Sequence, residues 1–221
     1  FLSQLIRDED QDTALSNARF PWLSFKRVEL AMCPVNAIRV SYTGELGWEL
    51  HHPIEMQNYL FDLLQSAGAK YELKWVGARA QNWLRQEKSY RAFGTELGRD
   101  ATPLEADLPR FVDMSKDFNG KLQMEKIGIR SKSVTFLIDG PVDADPWGRE
   151  ALYTEDGTER VGRLTSGGYS VVFEKSIGMG YVKPSYAIEG TKLKVKIQNA
   201  LWDAVVTFDS PYDPKNELLR A

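Results

Sequence analysis

Gly77-Ala-Arg-Ala-Gln-Asn-Trp-Leu-Arg-Gln-Glu-Lys-Ser-Tyr-Arg-Ala-Phe-Gly94 is the stretch around which the chain is organised. Its first part has the spacing of a short helix. Ala80, Trp83, Leu84 and Glu87 fall at i, i+3, i+4 and i+7, which puts them on one face. Three of the four suit a core and the fourth is a carboxylate. A charged carboxylate on an apolar stripe is costly unless it is paired or hydrogen-bonded. Glu87 also sits at the helix C-terminus, where the macrodipole disfavours negative charge. Something must therefore compensate it: the donors of a polar ligand, an ion pair with Arg79, Arg85 or Lys88, or water at an edge.

Upstream of this helix, strands are expected at residues 27–30 and 37–42, with a turn at Pro34-Val-Asn36. Tyr42-Thr-Gly-Glu-Leu-Gly-Trp-Glu-Leu50 breaks the second strand at Gly44 and Gly47, which permit positive φ or close backbone approach, and resumes at Trp48 and Leu50. The spacing is not that of a dinucleotide fingerprint. Glu45 and Glu49, either side of a turn, read as surface residues rather than an acid/base pair. Pro53 opens a helix with Met56, Leu60, Leu63, Leu64 and Ala67 on one face, ended by Gly68. Alternating Tyr71, Leu73 and Trp75 predict a short strand over 69–76. Strands followed by helices in this order suit an α+β fold with helices on a sheet.

Downstream, residues 95–103 are turn-rich, 104–108 have helical character, 111–114 suit a short strand and 121–126 a short helix. From Val134 onward almost every segment reads as β. Val134, Phe136 and Ile138 alternate. Residues 151–153 and 161–164 flank an Asp156-Gly157 hairpin signal. Leu193, Val195 and Ile197 alternate with three lysines, and residues 201–208 are rich in β-formers. Such spacing predicts a small antiparallel barrel or sandwich and a boundary near residue 127. The glycine-rich Thr165-Ser-Gly-Gly-Tyr169 lacks the lysine and helix of a phosphate loop, so it is expected to be a turn between strands that requires positive φ.

Composition excludes several classes. The 221 residues carry a net charge of −3 with both signs interspersed, which argues against a nucleic-acid surface. No apolar run has the length of a membrane span. The single cysteine, Cys33, rules out an internal disulfide and favours a reducing compartment. Adjacent His51 and His52 would point to opposite faces of a strand, a poor metal site. The chain begins at Phe1 on an apolar helical face, as a fragment of a longer protein would. Strands missing from such a fragment would leave an open sheet edge inviting association.

Three stretches together resemble the folate-binding aminomethyltransferase, or glycine-cleavage T-protein, family: Tyr42 to Leu50; Gly77-Ala-Arg79 with Leu84-Arg-Gln-Glu87; and Val161-Gly-Arg-Leu-Thr-Ser-Gly-Gly-Tyr169 with Ser176-Ile-Gly-Met-Gly-Tyr-Val182. Residues 14–23, Phe93-Gly-Thr-Glu96 and Tyr212-Asp-Pro-Lys-Asn-Glu217 look most like the C-terminal region of dimethylglycine and sarcosine dehydrogenases. The resemblance implies an α+β folate-binding region, here its later part at residues 1–127, and a C-terminal antiparallel β-barrel at 128–221. It implies tetrahydrofolate as cofactor and one-carbon transfer forming 5,10-methylenetetrahydrofolate, in the bacterial cytoplasm or the mitochondrial matrix. Glu87 matches the family glutamate that accepts hydrogen bonds from the pterin. Tyr42, Tyr90 and Lys116 are placed beside the folate by the same resemblance. The family's catalytic aspartate would lie upstream of residue 1, leaving this stretch alone without a catalytic residue. FAD would belong only to an upstream domain of a dehydrogenase-like parent. The same resemblance leaves open a non-catalytic, folate-binding regulator or assembly scaffold.

Overall fold

A computed structural model describes residues 1–141, 144–207 and 209–221. It divides into two compact units, residues 1–81 with 215–221, and residues 82–214.

The first unit is built on a three-stranded antiparallel sheet of β1 (Phe25–Leu30), β2 (Cys33–Ile38) and β3 (Glu49–His51), in that order. Alternation places Cys33, Val35 and Ala37 on the buried face of β2. Against that face pack Leu30, Phe20 and Ile6, with Leu60 of α1 (Gln57–Gly68). Met56, Leu63 and Leu64 join this core, as the predicted stripe requires. A single 3-10 turn at Ile54–Met56 precedes α1, after Pro53. Gly44 has φ +86°, while Gly47 is needed for close approach, since a Cβ there would lie 2.9 Å from the Val40 carbonyl oxygen.

Three local expectations are corrected here, the first being the strand over 37–42, since β2 ends at Ile38 and residues 39–42 are not strand. The β1–β2 turn lies at Ala31 and Met32 rather than at residues 34–36, with Ala31 at φ +51° and Pro34 inside β2 opposite Glu29. Residues 69–76 form no strand. A 3-10 turn at Ala69–Tyr71 and left-handed Glu72 reverse the chain. Trp75 then stacks on Phe61 of α1, ring centroids 4.6 Å apart. The alternation was present, but no neighbouring strand offers Leu73 or Trp75 a ladder.

α2 (Ala78–Glu87) carries the chain into the second unit. That unit contains α3 (Lys121–Ile127) and a closed antiparallel barrel. The barrel strands are β4 (Lys132–Ile138), β5 (Ala151–Thr154), β6 (Arg160–Ser170), β7 (Lys175–Val182), β8 (Lys192–Ile197) and β9 (Ala200–Thr207), in the order β4-β7-β6-β5-β8-β9. Pairing of β9 back onto β4 closes the ring and removes every edge. Phe136, Ile138, Leu152, Leu164, Leu193 and Val195 fill the interior. The predicted 155–158 hairpin joins β5 to β6, and the three lysines of β8 stay on the wetter side of their strand. Phe208, the last residue of the expected final strand, lies outside the described residues.

Three further expectations fail in this unit. Residues 104–108 make a hydrogen-bonded turn rather than a helix, ending at Asp107 with φ +60°. Thr102 and Glu105 cap it reciprocally: the Thr102 N–H donates to Glu105 Oε2 at 2.8 Å, and the Glu105 N–H to Thr102 Oγ1 at 3.2 Å. Instead of a strand at 111–114 there is a 3-10 turn at Pro109–Phe111. Thr165-Ser-Gly-Gly-Tyr169 is no loop but the second half of the eleven-residue β6. Gly167 and Gly168 pair with Gly178 and Ile177 of β7. Their lack of side chains serves packing: a Cβ on Gly168 would lie 2.1 Å from Trp83 Cδ1, and one on Gly167 2.5 Å from the Pro146 carbonyl oxygen.

Candidate functional site

The site forms where the C-terminal end of α2 meets the outer face of β6 and β7. A register shift between Leu164 and Ser166 inserts Thr165 as an extra residue in β6. Beyond it, Ser166, Gly168 and Ser170 recur at every second position and are buried with Arg85, Trp83 and Glu87 as their respective neighbours. From β7, Met179 and Tyr181 join the same layer.

The helix end breaks the expected stripe. Trp83 and Leu84 are half-buried, whereas Arg85, Gln86, Glu87, Lys88 and Ser89 are all buried. Five consecutive polar residues can be buried only if each finds partners. Arg85 donates through Nη1 to Glu96 Oε2 at 2.9 Å and to the Tyr90 carbonyl at 2.7 Å, through Nη2 to Ser166 Oγ at 2.7 Å, and through Nε to Asn82 Oδ1 at 2.8 Å. Glu96 also accepts from the Ala92 N–H at 3.0 Å and from the hydroxyls of Thr95 at 2.8 Å, Thr165 at 2.7 Å and Ser166 at 2.6 Å. Burial pushes the Glu96 carboxyl up, but the Arg85 charge and these donors outweigh it and leave the group below its ordinary value. Tyr181 donates to the Glu96 carbonyl at 2.7 Å, and its own phenol is pushed up to about 12, chiefly by burial and then by the Glu96 charge. Lys88 donates to the carbonyls of Tyr212 at 3.1 Å and Asp213 at 2.7 Å and lies 3.6 Å from the Asp213 carboxylate. Ser89, at φ +54°, shares a 2.6 Å hydrogen bond with Thr135 Oγ1.

Glu87 is 2% exposed. Of the cations weighed as its partner, Arg85 is paired with Glu96 and Lys88 lies against Asp213. Ser170 Oγ donates to Glu87 Oε1, and the Val172 N–H reaches the same oxygen at 3.5 Å. Ser170 in turn accepts the Phe173 N–H at 3.2 Å. Both hydrogen bonds therefore fall on one carboxylate oxygen, and the orientation of the group is fixed from the barrel side. The Glu87 main-chain carbonyl accepts the Tyr212 N–H at 3.0 Å, so the final segment of the unit closes over the helix end.

The other singled-out residues are placed differently. Half-buried Tyr90 follows directly, its N–H bonded to the Arg85 carbonyl at 2.9 Å. Lys116 is on the surface of the same unit, its side chain 75% exposed and 3.7 Å from Asp113. Tyr42 belongs to the first unit and is 39% exposed. Sequence reading missed Ser166, Ser170 and the role of Glu96. The small-residue alternation Ser166, Gly168, Ser170 carried the strand signal, and it was masked by the glycine pair. Among the described residues no cluster could hold a metal ion, and no helix is long and apolar enough to cross a membrane.

An α+β unit and a unit with a closed six-stranded antiparallel barrel occur together in known proteins. The chain belongs to the glycine-cleavage T-protein family: its residues 3–116 match the GCVT N-terminal domain, and residues 132–213 match the glycine cleavage T-protein C-terminal barrel domain. It is 37% identical over 197 residues to mitochondrial dimethylglycine dehydrogenase of Homo sapiens, covering 87% of this chain and 22% of that protein. To an aminomethyltransferase of Caldanaerobacter subterraneus it is 34% identical over 217 residues, covering 96% of this chain and 55% of the other. The crystal structure of the glycine cleavage system aminomethyltransferase T from Bartonella henselae superposes with a TM-score of 0.71 at 25% identity, over 81% of this chain and 50% of that one. The chain thus spans about a fifth to about half of the length of these relatives.

Proposed function

We propose that this chain is the folate-binding part of a one-carbon transfer protein, with residues 1–127 as the later part of the folate-binding region and 128–221 as the barrel domain. The observation that carries the reading is the Glu87 carboxylate, buried and held through Oε1 by Ser170 and Val172. A carboxylate is acceptor-only, with two oxygens and about four lone-pair sites. With Oε1 anchored by the barrel, Oε2 suits the planar N–H edge of a pterin. The buried Arg85–Glu96 network keeps the helix end rigid, so that little ordering entropy is lost on binding. The family resemblance adds Tyr90, Tyr42 and Lys116 as further folate-binding residues. Tetrahydrofolate would supply the nitrogen atoms that accept a one-carbon unit, with 5,10-methylenetetrahydrofolate as product. The names of the relatives, aminomethyltransferase and dimethylglycine dehydrogenase, support that class of reaction.

Calorimetric titration of folinate into the chain and into Glu87→Gln tests the reading. The amide preserves shape and can still accept from Ser170, but it loses charge and brings an N–H₂ toward the ligand. Binding weakened about tenfold or more is expected from a lost charge-assisted hydrogen bond. Equal affinity in both proteins would remove Glu87 from the site. Absence of binding to the folded, unsubstituted chain would sink the folate reading for this stretch.

A further inference from the structure

A cleft of about 400 Å³ opens on the barrel at the end opposite Ser170. We propose that it binds a small polyanion carrying two or more carboxylate or phosphate groups. Strand order builds it. β4, β7 and β6 are neighbours, and the start of β4, the end of β7 and the start of β6 share one rim. Arg130 precedes β4, Lys183 follows β7, and Arg160 and Arg163 lie on β6, so four cations from three adjacent strands line one cavity.

Two of these cations are already engaged. Arg130 holds Glu105 at 2.9 Å, and Lys183 is paired with Glu159. Arg160 and Arg163 form no ion pair among the described residues. The carboxylates on the cavity lining are Asp100 and Glu96. Glu96 is fully buried and committed to Arg85, so it offers nothing to the cleft. With Asp100 set against the two unpaired guanidiniums, the cleft keeps an excess of positive charge, carried by guanidinium forks, the groups best matched to carboxylate and phosphate oxygens. Their backbones are fixed in β6, which lowers the ordering cost of binding. The volume is that of a small-molecule site.

The experiment titrates inorganic pyrophosphate and, separately, tricarballylate into the whole chain at low ionic strength, where charge effects are least screened. It is repeated on Arg160→Gln/Arg163→Gln and on a control of equal charge loss, Lys192→Gln/Lys196→Gln, on β8. Both arginines are exposed, and urea unfolding checks that the variant remains folded. Saturable one-to-one binding is expected, weakened about tenfold or more by the arginine substitutions and less than about twofold by the control. Saturation by pyrophosphate alone would identify a phosphate ligand, by tricarballylate alone a carboxylate ligand, and by both a site reading charge and spacing. Failure of both probes to saturate, or equal weakening in the two variants, would overturn the proposal. So would binding of a hexaglutamate peptide when neither small probe binds. The folinate titration is a separate readout, and neither result depends on the other.

Discussion

Glu96→Gln tests whether the buried charge pair holds the helix end against the barrel. The Arg85 and Glu96 side chains are 2% and 0% exposed, so neither charge can turn to water when its partner is lost. The substitution keeps the volume. An amide oxygen can still face Arg85 and the Ala92 N–H, while the N–H₂ group faces the Thr165 and Ser166 hydroxyls. Thr165 can accept from it, with an alternative acceptor for its own proton in the Met179 carbonyl 3.0 Å away, while Ser166, which accepts from Arg85, loses the acceptor of its own proton. The hydrogen bonds are therefore largely replaceable, and what disappears is the charge compensating a buried guanidinium. Removal of one partner from such a pair costs about 3–5 kcal/mol. With a urea slope of about 2–3 kcal/mol per molar, the midpoint should fall by about 1–2.5 M. Urea unfolding followed by tryptophan fluorescence gives the number, and amide exchange in β6 and β7 localises it. The double variant with Arg85→Met should cost clearly less than the sum of the single substitutions. The exposed pair Arg7–Glu29, with side chains 67% and 57% exposed, provides the contrast: Glu29→Gln should cost less than about 0.5 kcal/mol. A Glu96→Gln cost near that of the surface pair would refute the reasoning.

Gly168→Ala places a Cβ against Trp83 and should destabilise by about 1–3 kcal/mol, with a change in near-UV circular dichroism as the indole shifts. Ser170→Ala should weaken folinate binding less than Glu87→Gln does, because Val172 still reaches Oε1; an effect larger than that of Glu87→Gln would place the ligand on Ser170 instead. Glu105 is held at about 2 by the hydrogen bonds of Arg130, against 4.5 ordinarily, so its contribution is complete above pH 4.5 and is lost as the pH falls toward 2. With Arg130 about half exposed, the loss is ~2 kcal/mol, and Glu105→Gln should flatten the acid limb of stability measured between those values.

The parts of the fold legible in the sequence are those where one face meets solvent and the other meets a core. The α1 stripe, the Asp156-Gly157 hairpin and the alternating β8 each carry a local signal that the final packing reinforces. Residues 69–76 show the limit of such a signal, because alternation specifies a strand only when a neighbour completes its hydrogen bonds. Glu87 needs compensation, as its place on the helix requires, but the protein partner that the structure shows is distant in sequence. Its partner is Ser170, 83 residues away, and Arg85 reaches Ser166, 81 residues away. No window along the chain contains such pairs. The two glycines of β6 misled for a related reason: they are required by what lies above them, Trp83 and Pro146, and not by their own dihedrals.

The order of burial along α2 suggests why a protein would bury five polar residues in a row. An apolar helix end packed on β6 would be at least as stable, since buried ion pairs rarely outperform hydrophobic contacts of similar volume. What the polar set provides is direction. Arg85 fixes the helix against β6 and the Glu96 turn, Lys88 fixes the segment at 212–213, and Ser89 fixes β4. Each of these bonds has a required angle, and together they leave the Glu87 side chain one orientation relative to Ser170. A greasy interface of equal stability would permit the helix to slide or rotate by small amounts. If this account is right, Arg85→Met should do more harm to folinate affinity than an equally destabilising core truncation such as Leu152→Ala, compared under conditions where both proteins are folded. Equal affinities would mean that the network serves stability alone and that the orientation of Glu87 is set by Ser170 without help.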